Sequence, residues 1–202
     1  EYTAPRVQLW MGPDAHLVAY PISAARQINV VAIVPGTWNR PGWSTPGDAN
    51  ELKNAFASQR WPATARMLIG AVDGWRRWAL FTLPDIGEWT DGAIALLGDA
   101  AHAMLPFAAQ GAAMAIEDAA VLADCLGKAP DDIAGAMRRY EALRNDRTTR
   151  AQKAASRNGL RYQASGVEAA VRNTALRMMG GAGLLKRYDW LYSWRMKPPE
   201  SK

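Results

Sequence analysis

The segment Leu97-Gly98-Asp99-Ala100-Ala101-His102 concentrates the side chains best suited to chemistry. An almost wholly apolar run, Ala93-Ile94-Ala95-Leu96-Leu97, feeds it, and such a run predicts a short strand buried on both faces inside a layered sheet. Open α/β sheets take their ligands at strand ends of this kind. Gly98 permits close backbone approach, and Asp99 offers a carboxylate suited to accepting bonds from sugar-type hydroxyls. After Pro106, the run Ala109-Gln110-Gly111-Ala112 opens a predicted helix. Its first amides, at Gly111 and Ala112, have no intrahelical partner and carry partial positive charge. A carbonyl or anionic oxygen is stabilised at such a place. Local physics alone reads Gly98-Asp99 equally well as a turn with a helix cap.

Positioning these residues requires a folded body, and the composition supplies one. The chain has 202 residues, 49% of them hydrophobic and 21% charged, an ordinary globular balance that excludes disorder and low complexity. Cys125 stands alone, so no internal disulfide forms and the default home is cytoplasmic. With 2 histidines and 1 cysteine, a structural zinc site is excluded and no metal is expected. The net charge of +5 hints at anionic ligands without identifying one. Ala100 to Ile116 lacks charge but contains His102, Pro106 and Gln110, which argues against a membrane span. Glu1-Tyr2-Thr3 has neither an initiator Met nor a signal-peptide pattern, and the chain reads as though cut from something longer.

The first third reads as an antiparallel meander: Val7–Met11, a turn at Gly12-Pro13-Asp14, His16–Tyr20, then Ile28–Val34. Asp48 caps a predicted helix with Leu52, Ala55 and Phe56 on one face, and a second short helix covers Ala63–Val72. Trp75–Leu83 returns to strand. Beyond Gly111 the pattern is helical: Ala112–Leu126 stopping at Gly127, a long helix from Asp131 to about Asn158, and Val167–Met179 closed by Gly180-Gly181. The long helix shows a basic face of Arg138, Arg139, Arg144, Arg147, Arg150, Lys153 and Arg157, read as solvated. Strands followed by helices give an α+β class, or a truncated α/β fold.

The stretch Trp78 to Ala119, with Leu97–His102, Gln110-Gly111 and Glu117-Asp118-Ala119, resembles the flavin-binding segment of single-component FAD-dependent aromatic hydroxylases. The salicylate hydroxylase and 3-hydroxybenzoate 6-hydroxylase branch is the most similar. Trp10-Met11-Gly12-Pro13, His16 and Tyr20-Pro21 resemble its substrate-domain strands, and Tyr140–Arg144 and Asp189–Tyr192 its C-terminal helices. The resemblance implies a division into a substrate-side sheet with two short helices (1–83), a flavin-ring segment (84–127) and C-terminal helices (128–202). It implies FAD as cofactor, NADH or NADPH as reductant and a small phenolic or aromatic acid as substrate. By the same likeness Asp99, after Gly98, bonds the ribitol of FAD, Pro106 lies beside the ring and the substrate, and the Gly111 and Ala112 amides face the pyrimidine end of the ring. His16 and Gln110 are the expected substrate contacts, His16 polarising a phenol hydroxyl; His102 supports the loop, and Glu117 and Asp118 make helix and interdomain contacts, not an acid–base pair.

The chain also departs from that pattern. It has no Gly-x-Gly-x-x-Gly unit: Gly180-Gly181-Ala182-Gly183 follows a helix, and Asp73-Gly74 reads as a turn. Thr82-Leu83 stands where the family usually has an Asp-Arg pair, and Ala103 where a proline is common. The expectation is therefore a C-terminal half whose partner is a missing N-terminal dinucleotide-binding half. Alone it should retain no FAD tightly, show no hydroxylase activity, and self-associate through the open edge of Ala93–Leu97. No nucleic-acid or membrane partner is expected. Two other readings stay open: a non-catalytic binding or assembly module built on the Arg-rich helix, and a related flavin-dependent halogenase or reductase.

Overall fold

A computed structural model describes residues 4–84 and 86–196; Glu1–Thr3 and the last part of the 128–202 segment lie outside the described residues. Contacts divide the chain into two compact units, Glu1–Leu80 with Leu160–Ala175, and Phe81–Gly159 with Leu176–Lys202. The α+β class expected from the sequence is the one found, with antiparallel sheets followed by C-terminal helices.

In the first unit, β1 (Gln8–Gly12), β2 (Ala15–Ile22) and β3 (Gln27–Ile33) form the antiparallel meander in the order β1-β2-β3. Its register sets Trp10 opposite Leu17 and Leu17 opposite Ala32. Strand alternation turns Ala15, Leu17 and Ala19 to one face, where they are buried. That face is covered by Phe56, Trp61, Ala65, Leu68 and Ile69. These come from and around α1 (Ala49–Ala55), capped by the Asp48 carboxylate on the Asn50 amide at 2.8 Å, and α2 (Ala63–Gly70). Gly12 lies so close to Trp61 that a Cβ there would sit 2.5 Å from the indole. β4 (Ser44–Gly47) pairs with β5 (Trp75–Trp78). The strand expected over Trp75–Leu83 ends at Trp78 because its partner ends at Ser44, where the loop closed by the Trp38 Nε1 bond to the Gly42 carbonyl begins.

In the second unit, β6 (Thr90–Asp91) and β7 (Ile94–Ala95) make a minimal hairpin. The buried strand expected over Ala93–Leu97 is corrected here: Ile94 is 68% exposed, and Leu96 and Leu97 are exposed too. Its ladder partner among the described residues is the two-residue β6, too little to cover both faces. Then come α3 (Asp99–His102), a 3-10 turn at Pro106–Ala108, α4 (Gly111–Lys128), α5 (Ile133–Tyr162) and α6 (Gly166–Tyr192). α4 runs through the expected stop at Gly127, since one helical glycine costs only about 1 kcal/mol and the Lys128–Asp124 pair at 2.8 Å holds the last turn. The expected stop at Gly180 is a kink within α6: that residue has φ 60° and ψ −179°, and the helix resumes beyond it as far as Tyr192.

Buried positions on α4 are Met114, Asp118, Val121 and Cys125, one helical stripe. On α5 the buried stripe includes Ala136, Tyr140, Arg144, Thr148, Ala151 and Ala155. Arg144 therefore leaves the solvated basic face read from the sequence, and Arg147 is largely covered as well, because acidic partners on α4 meet both. Cys125 is buried in the cluster of Trp89, Val121, Ala136 and Tyr140, and burial pushes its thiol pKa up. No helix among the described residues is long and apolar enough to cross a membrane.

Candidate functional site

Gly98, three residues beyond β7 and at the start of α3, has φ 60°, ψ −139°, a conformation that side chains disfavour, and a Cβ there would stand 3.2 Å from that of Ala115 on α4. Its carbonyl accepts the Ala101 and His102 amides at 3.0 and 2.9 Å, closing the single turn of α3. Asp99 is the first residue of that turn and is exposed. The next helix begins alongside: a Cβ built on Gly111 would lie 3.9 Å from Asp99 Oδ1. Gln110, at the N-cap of α4, makes no side-chain cap, and its amide donates to the Ala109 carbonyl at 3.3 Å. The amides of Gly111 and Ala112 thus open a helix of 18 residues without a side-chain acceptor across them. The structure brings Gly98, Asp99, Gly111 and Ala112 together in one unit.

Between α3 and α4 the loop is tied down from α5. The Ala103 carbonyl accepts from the Leu83 amide at 3.1 Å, the Thr82 hydroxyl at 3.2 Å and Gln152 Nε2 at 3.1 Å. Asn158 Nδ2 donates to the Phe107 carbonyl at 3.1 Å. Pro106 starts the 3-10 turn and is exposed, while Ala109 adopts the left-handed region at φ 52°. Neither Gln152 nor Asn158 is given a role by the sequence; an amide side chain on a long helix gives no local sign that it reaches a loop carbonyl.

Beneath the turn lies a buried ionic relay. Asp118 Oδ2 accepts the Gly98 amide at 2.9 Å and His102 Nε2 at 2.6 Å, while Oδ1 accepts Arg144 Nε at 2.7 Å. Burial works to raise the Asp118 pKa, but the bonds from His102, Arg144 and the Gly98 amide outweigh it and hold the carboxyl below its ordinary range. Arg144 also meets Glu117 at 2.7 Å, and Glu117 takes a two-pronged bond from Arg147 at 2.6 and 2.7 Å. Arg147 then donates to the Trp190 and Leu191 carbonyls at 2.8 and 3.1 Å, capping the end of α6.

His16 belongs to the first unit, on β2, fully buried with its ring 5.3 Å from that of Tyr162 in an edge contact. Burial lowers its pKa to about 4, so the imidazole is neutral at ordinary pH. Pro106, Gln110 and the Asp99 group belong to the second unit.

The exposed acceptor of Asp99 beside uncapped helix amides suits a ligand that carries hydroxyls next to a carbonyl or anionic oxygen. The family described as FAD binding domain matches residues 5–158. The whole chain is 37% identical to 50% of a 3-amino-4-hydroxybenzoate 2-monooxygenase of Streptomyces platensis. A 3-hydroxybenzoate 6-hydroxylase of Aquipseudomonas alcaligenes is 36% identical over 93% of this chain and 58% of its own length. A salicylate hydroxylase solved as a substrate complex superposes with TM-score 0.81 at 27% identity, over 96% of this chain and 50% of that one. The chain spans about half the length of the curated relatives it matches.

Proposed function

This chain belongs to the FAD-binding-domain family, and on that premise we propose that it forms the flavin-ring and substrate-side half of a monooxygenase hydroxylating a phenolic aromatic acid. The observation that carries the reading is the Asp99 carboxylate set beside the uncapped first turn of α4. Asp99 would accept bonds from the ribitol hydroxyls. The Gly111 and Ala112 amides, at the positive end of α4, would stabilise negative charge on the pyrimidine side of the ring. When bound, FAD supplies electron transfer from NADH or NADPH and the activation of O2. Pro106 would flank the ring and the substrate and help to exclude water. Gln110, whose side-chain amide makes only a long bond to its neighbour's carbonyl among the described residues, would turn to a substrate group. His16, neutral at ordinary pH, would meet the substrate hydroxyl as an uncharged hydrogen-bonding group.

On the same reading the chain acts with a dinucleotide-binding half that carries the pyrophosphate and adenosine contacts. Exposure of Ile94, Leu96 and Leu97, together with a span of about half the relatives' length, supports this. Assembled with such a half, Asp99→Ala should weaken FAD retention by about 1.5–3 kcal/mol, the worth of a charge-assisted acceptor. Unchanged flavin affinity would sink the assignment. His16→Ala in the same assembly should keep its flavin and lose hydroxylation of a phenol; normal turnover would reduce His16 to a packing residue. The 202-residue chain alone should bind FAD weakly and self-associate through the open strand edge, as flavin fluorescence and sedimentation would show.

A further inference from the structure

We propose that Asp118 is the positioning residue of the Gly98–Asp99 turn, acting through the Gly98 amide and the His102 ring, with Arg144 and Trp194 holding its carboxylate in place. This deepens, and rests on, the reading that the turn meets the flavin.

An α3 of four residues cannot hold its own conformation, and the Gly98 backbone at φ 60° is open to either sign of φ, so the conformation of the turn has to be imposed from outside it. What imposes it is Asp118, which takes the Gly98 amide and His102 Nε2 on one oxygen. The carboxylate thus grips both ends of the turn that presents Asp99. As an acceptor-only group it requires the His102 proton on Nε2, and His102 Nδ1 is buried without a hydrogen-bond partner among the described residues, which agrees. On its far side Asp118 is fixed by Arg144, whose guanidinium lies 5.4 Å from the Trp194 ring, as does that of Arg147. Stability alone does not call for this arrangement, since an apolar pair in place of a buried ion pair is often neutral or better. An apolar residue at 118 would, however, leave the Gly98 amide without an acceptor. The carboxylate supplies placement.

Asp118→Asn tests this, because no orientation of the amide serves all three donors. With its oxygen on Arg144, its NH2 meets the Gly98 N–H and forces His102 to accept at Nε2 and carry its proton on Nδ1. In the wild-type chain, the proposal requires a Gly98 amide protected from exchange and a His102 in the Nε2–H form by 15N NMR. A freely exchanging Gly98 or an Nδ1–H imidazole there overturns it without any variant. In the flavoprotein assembled with its dinucleotide-binding half, Asp118→Asn should weaken FAD binding about tenfold. Val121→Ala, a cavity on the same buried stripe of α4, should lower the melting temperature and leave FAD affinity unchanged. Equal weakening by both variants would make Asp118 merely structural and overturn the proposal. So would full affinity in Asp118→Asn where Asp99→Ala loses it, in which case the functional reading survives alone. If Asp99→Ala itself keeps full affinity, the functional reading falls and takes the inference with it.

Discussion

Leu17, Phe56, Trp61 and Ile69 fill the first unit with apolar side chains, and the ionisable group buried on the opposite face of β2, His16, is driven to its neutral form. The second unit instead buries Asp118 with Arg144 and His102 both bonded to it. Apolar packing stabilises in proportion to area and tolerates small shifts of any one atom. A buried ionic relay contributes little net stability but is demanding in distance and angle. The first interior therefore serves the fold, and the second serves the placement of the Gly98–Asp99 turn.

The sharpest way to break this contrast is Arg144→Ala. It leaves two carboxylates without their shared cation and should cost about 3–5 kcal/mol in a denaturant melt. Arg144→Met should recover little of that, since the missing quantity is charge and not volume. Leu17→Ala should cost about 3 kcal/mol by opening a cavity, yet Leu17→Met should restore most of it. Full rescue by Met at 144, or none at 17, would erase the distinction.

Acid should separate the two interiors. The folded chain keeps His16 neutral down to about 4 against an ordinary 6.5, so the stability it carries is complete above pH 6.5 and is lost as pH falls toward 4. Asp118, held below its ordinary 3.8, keeps its contribution throughout that window and loses it only at lower pH. Amide protection in β2, corrected for intrinsic exchange, should fall between pH 6.5 and 4 while that of α4 holds, and His16→Gln should flatten the fall. Parallel loss in both would erase the predicted separation. The smallest effect is expected at Asp48→Ala, about 1 kcal/mol from the lost α1 cap, read as a shift in midpoint with no change in FAD affinity.

The meander was legible because its signals are local: the Gly12-Pro13-Asp14 turn, the β-branched run before Val34 and the Asp48 cap each act within a few residues. Asp99 and the Gly111 helix start were legible as neighbours along one short stretch of chain, but α3 and the 3-10 turn between them were not. Arg144 was not, since its partner Asp118 lies 26 positions away and its own helix is rich in arginine. A sign was nonetheless present. Arg144 shares a helical stripe with Tyr140, Thr148 and Ala151, and Glu117-Asp118 interrupts the otherwise small and apolar run from Gly111 to Ala123. Two acids and a base on facing apolar stripes predict each other. The apolar run Ala93–Leu97 misled in the other direction, because pattern reports what a segment is able to bury and says nothing of what covers it.

Cys125 gives the second unit a built-in clock. The thiol is 1% exposed and packed with Val121 and Tyr140, and its raised pKa further suppresses the thiolate that reacts with alkylating agents. As the chain's single sulfhydryl, it can be labelled only when α4 lifts from its neighbours. The rate of labelling in native buffer thus counts opening events at the helix that carries Asp118, without any introduced probe. Where closing outruns the reagent, that rate converts directly into a local opening free energy.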